Sequence, residues 1–238
     1  MERSRSAVVF GARNLGRAVI ERLVAEGWAV AGVARSEATL AGVTAAGALA
    51  VRADVTEQHS VRDVLEQAAA AHGGVDLVVN AASAYGGDRT GPFGGGPIAE
   101  AAPDAYDSWA AAPARSAFTF LSASGAFLLE QGRPATVIQV TGGSSRRASA
   151  GRGLWAAGAF GVRAITQADA LELREQGIHV ALLIVDAGIQ PIDDAGPEQA
   201  AAADPRELAG AVLFLADQGG RGATHELQVT PLAERWVP

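Results

Sequence analysis

Short apolar runs alternate with helix-length amphipathic segments along the whole chain. The runs are nearly continuous in apolar residues, which is typical of parallel strands buried on both faces of a sheet. The pattern predicts strands at residues 7–10, 28–33, 48–52, 75–80, 136–141, 179–185 and 226–229. It predicts helices at residues 14–26, 36–46, from Thr56 or Ser60 to 73, 104–131 with a potential interruption near Pro113, 153–175 and 205–217. Because a helix-length segment separates each pair of strands, we expect an α/β fold with one doubly wound parallel sheet, in a single domain over residues 1–238.

Two long segments have little predicted secondary structure. Residues 83–97 are rich in glycine, and residues 190–203 are rich in alanine and acidic side chains. Both follow the carboxyl end of a predicted strand, where open α/β sheets bind ligands. They are therefore candidate pocket walls, and the alternative is that they are ordinary surface loops.

The composition excludes several kinds of chemistry. All 19 basic residues are arginine, so a lysine Schiff base, a lysine general base and a Walker-type phosphate loop are excluded. The absence of cysteine excludes thiolate nucleophiles and cysteine-ligated metals. The four histidines, which lack ligand spacing, give no reason to expect a metal site. The net charge of −7 argues against nucleic-acid and membrane-surface partners. With no long apolar run, we expect a cytoplasmic protein.

The segment between the first strand and the first helix has the features of a dinucleotide site. A glycine turn there lets backbone N–H groups and a helix N-terminus approach a pyrophosphate. The candidate binding residues of this turn are Gly11, Arg13, Asn14, Leu15 and Gly16. Arg35 follows the second strand, where an acidic residue would bind an unmodified ribose. Together with Arg13, it suits a 2′-phosphate instead. Further candidates after the next two strands are Asp54, Val55, Asn80, Ala81 and Ala82.

These motifs resemble the short-chain dehydrogenase/reductase family over nearly the whole chain. The glycine turn resembles the family's T-G-x-x-x-G-x-G one residue short, with Asn14 in place of the middle glycine. Asp54-Val55 matches the D-V that contacts adenine, Asn80-Ala81-Ala82-Ser83 resembles N-N-A-G, and residues 204–216 resemble the final helix. The resemblance implies a Rossmann-type domain that binds NADP(H), with NAD(H) as the alternative. It also implies cofactor contacts at Gly188 and Ile189.

The same resemblance implies a degenerate catalytic tetrad. Gly142 stands at the family's serine position, Trp155 at the tyrosine position and Ala159 at the lysine position. The asparagine position falls between Pro113 and Ser116, and no asparagine follows Asn80. The V-D-A-G-I segment at residues 185–189 resembles an atypical branch that carries I-D-G-x-I and often lacks the tyrosine.

Other residues can replace part of the missing machinery. Ser144 can polarise a carbonyl, and Tyr85 is the tyrosine with a path to the pocket, although for both we favour the alternative that they are ordinary loop residues. Trp155 offers a flat apolar surface that can stack on a planar ligand. The expected substrate-pocket residues are Gly142, Gly143, Ser145, Trp155 and Asp186. For Arg146 and Arg147 we favour solvation over anion binding.

Three functions remain open for such a chain. The first is an NADP(H)-dependent oxidoreductase acting on a small or aromatic, polyketide-like carbonyl or conjugated substrate. The second is a non-redox catalyst of cyclisation, isomerisation or elimination, and the third is a cofactor-binding pseudoenzyme or partner subunit. The helices at 104–131 and 154–175 correspond to those through which the family assembles, and small residues on the second permit close approach. We therefore expect a homodimer or homotetramer, with a hetero-oligomer containing an active relative as the alternative.

Overall fold

A seven-stranded parallel sheet forms the centre of the computed structural model, which describes residues 4–83, 91–193 and 201–234. The strands lie in the order β3-β2-β1-β4-β5-β6-β7, which confirms the expected doubly wound α/β fold. Their bounds are β1 Ser6–Phe10, β2 Ala29–Ala34, β3 Leu49–Arg52, β4 Leu77–Asn80, β5 Ala135–Gly142, β6 Ile178–Val185 and β7 Glu226–Val229. All seven agree with the predicted strands to within two residues.

Six α-helices connect these strands. Their bounds are α1 Leu15–Ala25, α2 Glu37–Ala45, α3 Gln58–His72, α4 Ala112–Gln131, α5 Gly153–Leu173 and α6 Pro205–Ala216. The predicted helix from residue 104 begins instead as one π-helical turn, Asp107–Ala111, which continues directly into α4. Pro113 lies in the first turn of α4 and has no N–H to donate to the π-helical turn that precedes it. The interruption expected near Pro113 is therefore a change of helix type.

The helices cover the two faces of the sheet in two groups. Helices α1 and α6 pack with the inward side chains of Ala7 and Val9, while α3, α4 and α5 pack on the face that contains Val8 and Phe10. Phe10 meets Phe120 of α4 edge to face, with ring centroids 5.7 Å apart. Successive residues of β1 from Ala7 to Phe10 thus pack into opposite hydrophobic cores, which is why these four positions are all apolar.

The strand order reverses between β1 and β4. The chain first builds β1, β2 and β3 outward on one side, and then returns to β4 on the other side of β1. The loops that leave β1 and β4 consequently separate in opposite directions and leave a crevice at the carboxyl ends of the strands. The candidate active site lies in this crevice.

Candidate active site

A large cavity of about 1030 Å³, lined by described residues, occupies the crevice. Its wall contains most of the residues predicted to bind a dinucleotide or substrate, namely Gly11, Arg13, Asn14, Leu15, Arg35, Asp54, Val55, Asn80, Ala81, Ala82, Gly142, Trp155 and Ile189. The predicted residues that do not line it are Gly16, Gly143, Ser144, Ser145, Asp186 and Gly188. Tyr85 lies outside the described residues.

The glycine turn is shaped by close backbone packing. Gly11 adopts a left-handed φ of 83°, and a Cβ there would lie 2.5 Å from the backbone nitrogen of Ala82. A Cβ on Gly16 would collide with the carbonyl oxygen of Gly11. Gly16 therefore packs behind the turn, away from the cavity, and its missing Cβ lets the turn close. Gly11 lets the turn pack directly against the backbone that follows β4.

The N-terminus of α1 is suited to an anion. The helix has no side-chain cap and no acidic residue in its first turn, although its N-cap residue is asparagine, which usually caps. Asn14 and Leu15 line the cavity at this point. Uncapped N–H groups at a helix N-terminus bind phosphate through hydrogen bonds and the helix dipole. The backbone cradle therefore fits the pyrophosphate of a dinucleotide.

Two arginines and one aspartate line the end of the cavity beside β2 and β3. The Arg35 side chain is 77% exposed, and its Nη1 lies 3.4 Å from Oδ2 of Asp54. Burial by itself would raise the pKa of Asp54. Hydrogen bonds from the N–H and hydroxyl of Thr56, together with the Arg35 charge, outweigh burial and hold that pKa below its usual value. Since Arg13 is also exposed here, this end offers two cations to a phosphate.

A buried amide pair fixes the centre of the cavity wall. Asn80 donates from Nδ2 to Oε1 of Gln139 at 3.0 Å, and its Oδ1 accepts the N–H of Ala82 at 3.1 Å. Gln139 in turn donates to the carbonyl of Val140 at 2.8 Å. The Asn80 side chain thus fixes the backbone that follows β4. These hydrogen bonds give Asn80 a structural reason to lie in the cavity wall, where the sequence predicts it. Gln139 was not predicted, because its partner lies 59 residues away in the sequence.

Trp155 forms an aromatic wall at the other end of the cavity. Its ring centroid lies 5.4 Å from that of Phe93 and 6.1 Å from that of Trp109. Gly158, one turn along α5, allows the π-helical turn to approach, because a Cβ there would lie 2.6 Å from the carbonyl oxygen of Trp109. Trp155 is therefore held by neighbours on two other segments and presents a fixed flat surface.

Neutral groups from α4, β5 and α5 complete the cavity wall beside Trp155. They are Pro113, Ser116, Ala117, Thr141, Ala159 and Val162. Ser116, only 5% exposed, was included solely as one end of the range for the asparagine position. Its spacing of three residues from Pro113 places both on one helical face, and that signal could have identified it. Among the described residues, the ionisable side chains in the cavity wall are all at the opposite end: Arg13, Arg35 and Asp54.

An ion pair connects the loop after β5 to the residue that follows β6. Arg147 donates from Nη1 and Nη2 to the two carboxylate oxygens of Asp186, at 2.6 and 3.0 Å. The solvated state favoured for Arg147 is therefore wrong, whereas Arg146 is exposed and donates to Gln228 at 2.8 Å. Gly143 packs against the Asp186 carboxylate, and Ser145 is fully buried. This packing explains why Gly143, Ser145 and Asp186 do not reach the cavity wall.

Two features are absent from residues 4–83, 91–193 and 201–234. No group of three or more histidine or carboxylate side chains there could hold a metal ion. No helix there combines the length and the apolar character that crossing a membrane requires.

Comparisons with known proteins agree with this architecture. The chain is 30% identical to the sorbitol dehydrogenase of Cereibacter sphaeroides over 181 residues, which cover 74% of this chain and 67% of that protein. An alcohol dehydrogenase from the archaeon Thermococcus sibiricus, complexed with 5-hydroxy-NADP, superposes with a TM-score of 0.79 at 21% identity and covers 99% of this chain and 100% of its own. A variant of the actinorhodin polyketide ketoreductase with NADPH superposes with a TM-score of 0.74 at 23% identity, covering 98% of both chains.

At these identities the two superpositions establish a shared fold. The sequence profile of the short chain dehydrogenases matches residues 5–189, which is the larger part of the chain and contains the whole glycine turn and both ends of the cavity. The chain belongs to the short-chain dehydrogenase/reductase family.

Proposed function

We propose that this protein is an NADP(H)-dependent oxidoreductase whose catalytic tetrad is replaced at all four positions. The observation that carries the cofactor assignment is the uncapped N-terminus of α1 in the wall of a cavity that also contains Arg13 and Arg35. A pyrophosphate is matched by the helix end, and a 2′-phosphate is matched by the two guanidinium groups. The NADP complexes of two structural neighbours support the same choice.

We take the neutral end of the cavity beside Trp155, Ser116 and Thr141 as the reaction end, and it favours a planar or already activated substrate. When bound, the nicotinamide supplies or accepts a hydride. Trp155 gives a ring or conjugated system a fixed stacking surface, and the Ser116 and Thr141 hydroxyls line the wall as neutral hydrogen-bonding groups. General acid catalysis is worth about 10²–10⁴-fold. A small or aromatic, polyketide-like enone, imine or activated carbonyl depends least on that contribution.

The neutral reaction end also supports a second candidate function. The wall formed by described residues places no titratable side chain beside Trp155, and a proton-transfer group is what the family's reaction uses. The same pocket can therefore shape a cyclisation, isomerisation or elimination without redox chemistry. It can also belong to a pseudoenzyme that binds cofactor and serves an active partner subunit.

A cofactor titration followed by a substrate panel separates these functions. NADPH and NADP⁺ are titrated by fluorescence and calorimetry, with NADH as the matched cofactor that lacks the 2′-phosphate. We expect NADPH to bind at least tenfold more tightly than NADH, and to be oxidised with a conjugated enone or imine. Failure to bind any of these cofactors at millimolar concentration contradicts the proposal. Tight NADPH binding without oxidation across the panel supports the non-redox alternative.

We also propose that a second copy of the chain covers α4 and α5. Phe118 on α4 and Phe160 and Leu171 on α5 are large apolar side chains that are exposed on the outer side of these helices. Ala157, Ala164 and Ala168 are exposed on the same side of α5, and small residues permit close helix packing. A homodimer, or a homotetramer built from it, buries this face; pairing with an active relative through the same face is the alternative.

A further inference from the structure

Asn14 is the N-cap residue of α1, but its side chain does not cap the helix. The usual asparagine cap accepts a hydrogen bond from an N–H of the first turn. Here Oδ1 accepts the N–H of Ile192 at 2.8 Å, while Nδ2 donates to the carbonyl of Gln190 at 3.1 Å. Both ends of the amide are therefore used by a segment that follows β6, more than 170 residues along the chain.

A second contact extends this connection along α1. Arg17 lies one turn after the N-terminus, and its Nη1 contacts both carboxylate oxygens of Asp193, at 2.7 and 2.9 Å. Its Nε donates to Glu21 at 2.8 Å, which fixes the arginine on the helix surface. We call these contacts of Asn14 and Arg17 with Gln190, Ile192 and Asp193 the α1 seam.

The α1 seam joins two walls of the cofactor cavity. Asn14 and Leu15 line the cavity on one side, and Ala187 and Ile189 line it on the other. The far side of the second wall is anchored separately, because Gln190 donates its N–H to the carbonyl of Ala203 at 3.0 Å, and Ala203 donates to Gly188 at 2.8 Å. The segment is thus held at two points, and only one of them belongs to the pyrophosphate turn.

We infer that Asn14 is a positioning residue that controls how fast a dinucleotide enters and leaves, with Arg17 as its support. The inference rests on the proposed cofactor. Because the side chain is engaged with Gln190 and Ile192, the N–H groups of α1 stay available to the pyrophosphate. The two Asn14 hydrogen bonds set the spacing of the two walls, so a separation of the walls during cofactor exchange requires both bonds to break. Asn14 therefore governs the kinetics of exchange more than the affinity.

Two measurements on the whole protein test this role. Stopped-flow fluorescence with NADPH gives both rate constants, and we expect Asn14→Ala to raise the dissociation rate about tenfold, the order expected for losing two hydrogen bonds. The association rate is expected to rise with it, so that Kd changes by less than about threefold. Arg17→Ala is expected to raise both rates by a smaller factor. Arg22→Ala, which removes an ion pair with Glu26 of 2.9 Å on the same helix, is the matched control and should change neither rate.

Amide hydrogen exchange of the cofactor-free protein tests the seam independently of any ligand. Asn14→Ala should accelerate exchange at Ile192, whereas Asn14→Asp retains an acceptor for that N–H and should keep it protected. If Asn14→Ala leaves exchange at Ile192 unchanged, the seam does not exist in solution. If Kd weakens in step with the dissociation rate while association is constant, Asn14 is a direct cofactor contact and the inference is wrong. If hydrogen exchange at Ile192 responds to these substitutions as expected but the wild type binds no cofactor, the proposed function fails and the seam has another use.

Discussion

Arg35 illustrates how one residue can decide a cofactor preference. Its side chain is 77% exposed, so holding it near Asp54 costs little and leaves its donors available to a phosphate. Arg35→Ala is expected to weaken NADPH binding by about 10–100-fold, the worth of a charge-assisted hydrogen-bonded pair. NADH affinity should be unchanged. Calorimetry of both cofactors provides the measurement.

Arg52→Ala is the matched control for Arg35. Arg52 ends β3 on the same side of the sheet, is also exposed, and pairs with Glu37 at 3.2 Å. It does not line the cavity among the described residues. Equal losses in the two variants would indicate a general loss of positive potential, and the assignment of the 2′-phosphate to Arg35 would then be wrong.

Trp155 and Ala159 can be used to test the replaced tetrad. Both line the cavity on adjacent turns of α5, at the positions that the resemblance gives to tyrosine and lysine. The double variant Trp155→Tyr/Ala159→Lys is expected to gain NADPH-dependent reduction of simple ketones by at least about 10²-fold, the lower range for a positioned general acid. Trp155→Tyr alone should gain far less, because an unaided tyrosine has a pKa near ~10.

The control for that experiment is a variant that loses the Trp155 indole but gains no proton-donating side chain. Trp155→Phe keeps an aromatic ring against Phe93 and should not acquire ketone reduction. NADPH oxidation with a ketone and with a conjugated enone is measured for each variant. If Trp155→Phe and the double variant gain equally, pocket volume is responsible, and residue 155 does not occupy the position of the proton donor.

At the scale of elements, the sequence pattern predicted the strands and helix ends, which depend on residues close together in the chain. The apolar runs located every strand, and the left-handed glycines Gly73 and Gly132 end α3 and α4 as the sequence suggests. The pairing of Arg147 with Asp186 could not be predicted, because the partners are 39 residues apart and meet only when β5 and β6 are adjacent. The Asn14 contacts have the same origin, since only the finished sheet brings the segment after β6 to α1.

Helix α5 also carries a carboxylate that should make stability depend on pH. Burial raises the pKa of Asp169 to about 7, and the negative charge of Glu172 adds to the effect. In the unfolded chain its pKa is near ~3.9. The folded state therefore binds the proton more tightly, and this contribution to stability is full below the unfolded pKa and is lost as the pH rises through about 7.

Asp169→Asn should remove that dependence. We expect the variant to be more stable than the wild type by about 1–2 kcal/mol at pH 8, a value discounted for the partial exposure of the carboxyl. The difference should shrink as the pH falls towards 4. Urea unfolding at a series of pH values measures it, with Asp63→Asn on the exposed face of α3 as the control. A constant difference between variant and wild type across this range contradicts the prediction.

At the scale of the whole molecule, the ionisable side chains among the described cavity-lining residues lie at one end of the cavity, and the other end is lined by neutral residues. The net charge of −7 does not predict that two arginines, Arg13 and Arg35, line one end of the crevice. The residues that the sequence motifs single out at that end line the cavity, because each lies directly after a strand and the fold places such positions together. The reaction end depends on which faces of α4 and α5 turn inward. Ser116 and Thr141 therefore emerged there, while Ser144 did not.

Assembly is the property of the whole molecule that is most directly testable. A stable dimer buries roughly 800 Å² on each partner, which two adjacent helices of about 20 residues can supply. Phe160→Glu places a charge in the middle of the proposed interface and should halve, or further reduce, the mass measured by light scattering. Phe214→Glu on α6 is the matched control, because Phe214 is at least as exposed as Phe160 but lies on the opposite face of the sheet. It should leave at least the dimer intact. A monomeric wild type, or a dimer lost only in Phe214→Glu, would show that the outer face of α4 and α5 is not the assembly surface.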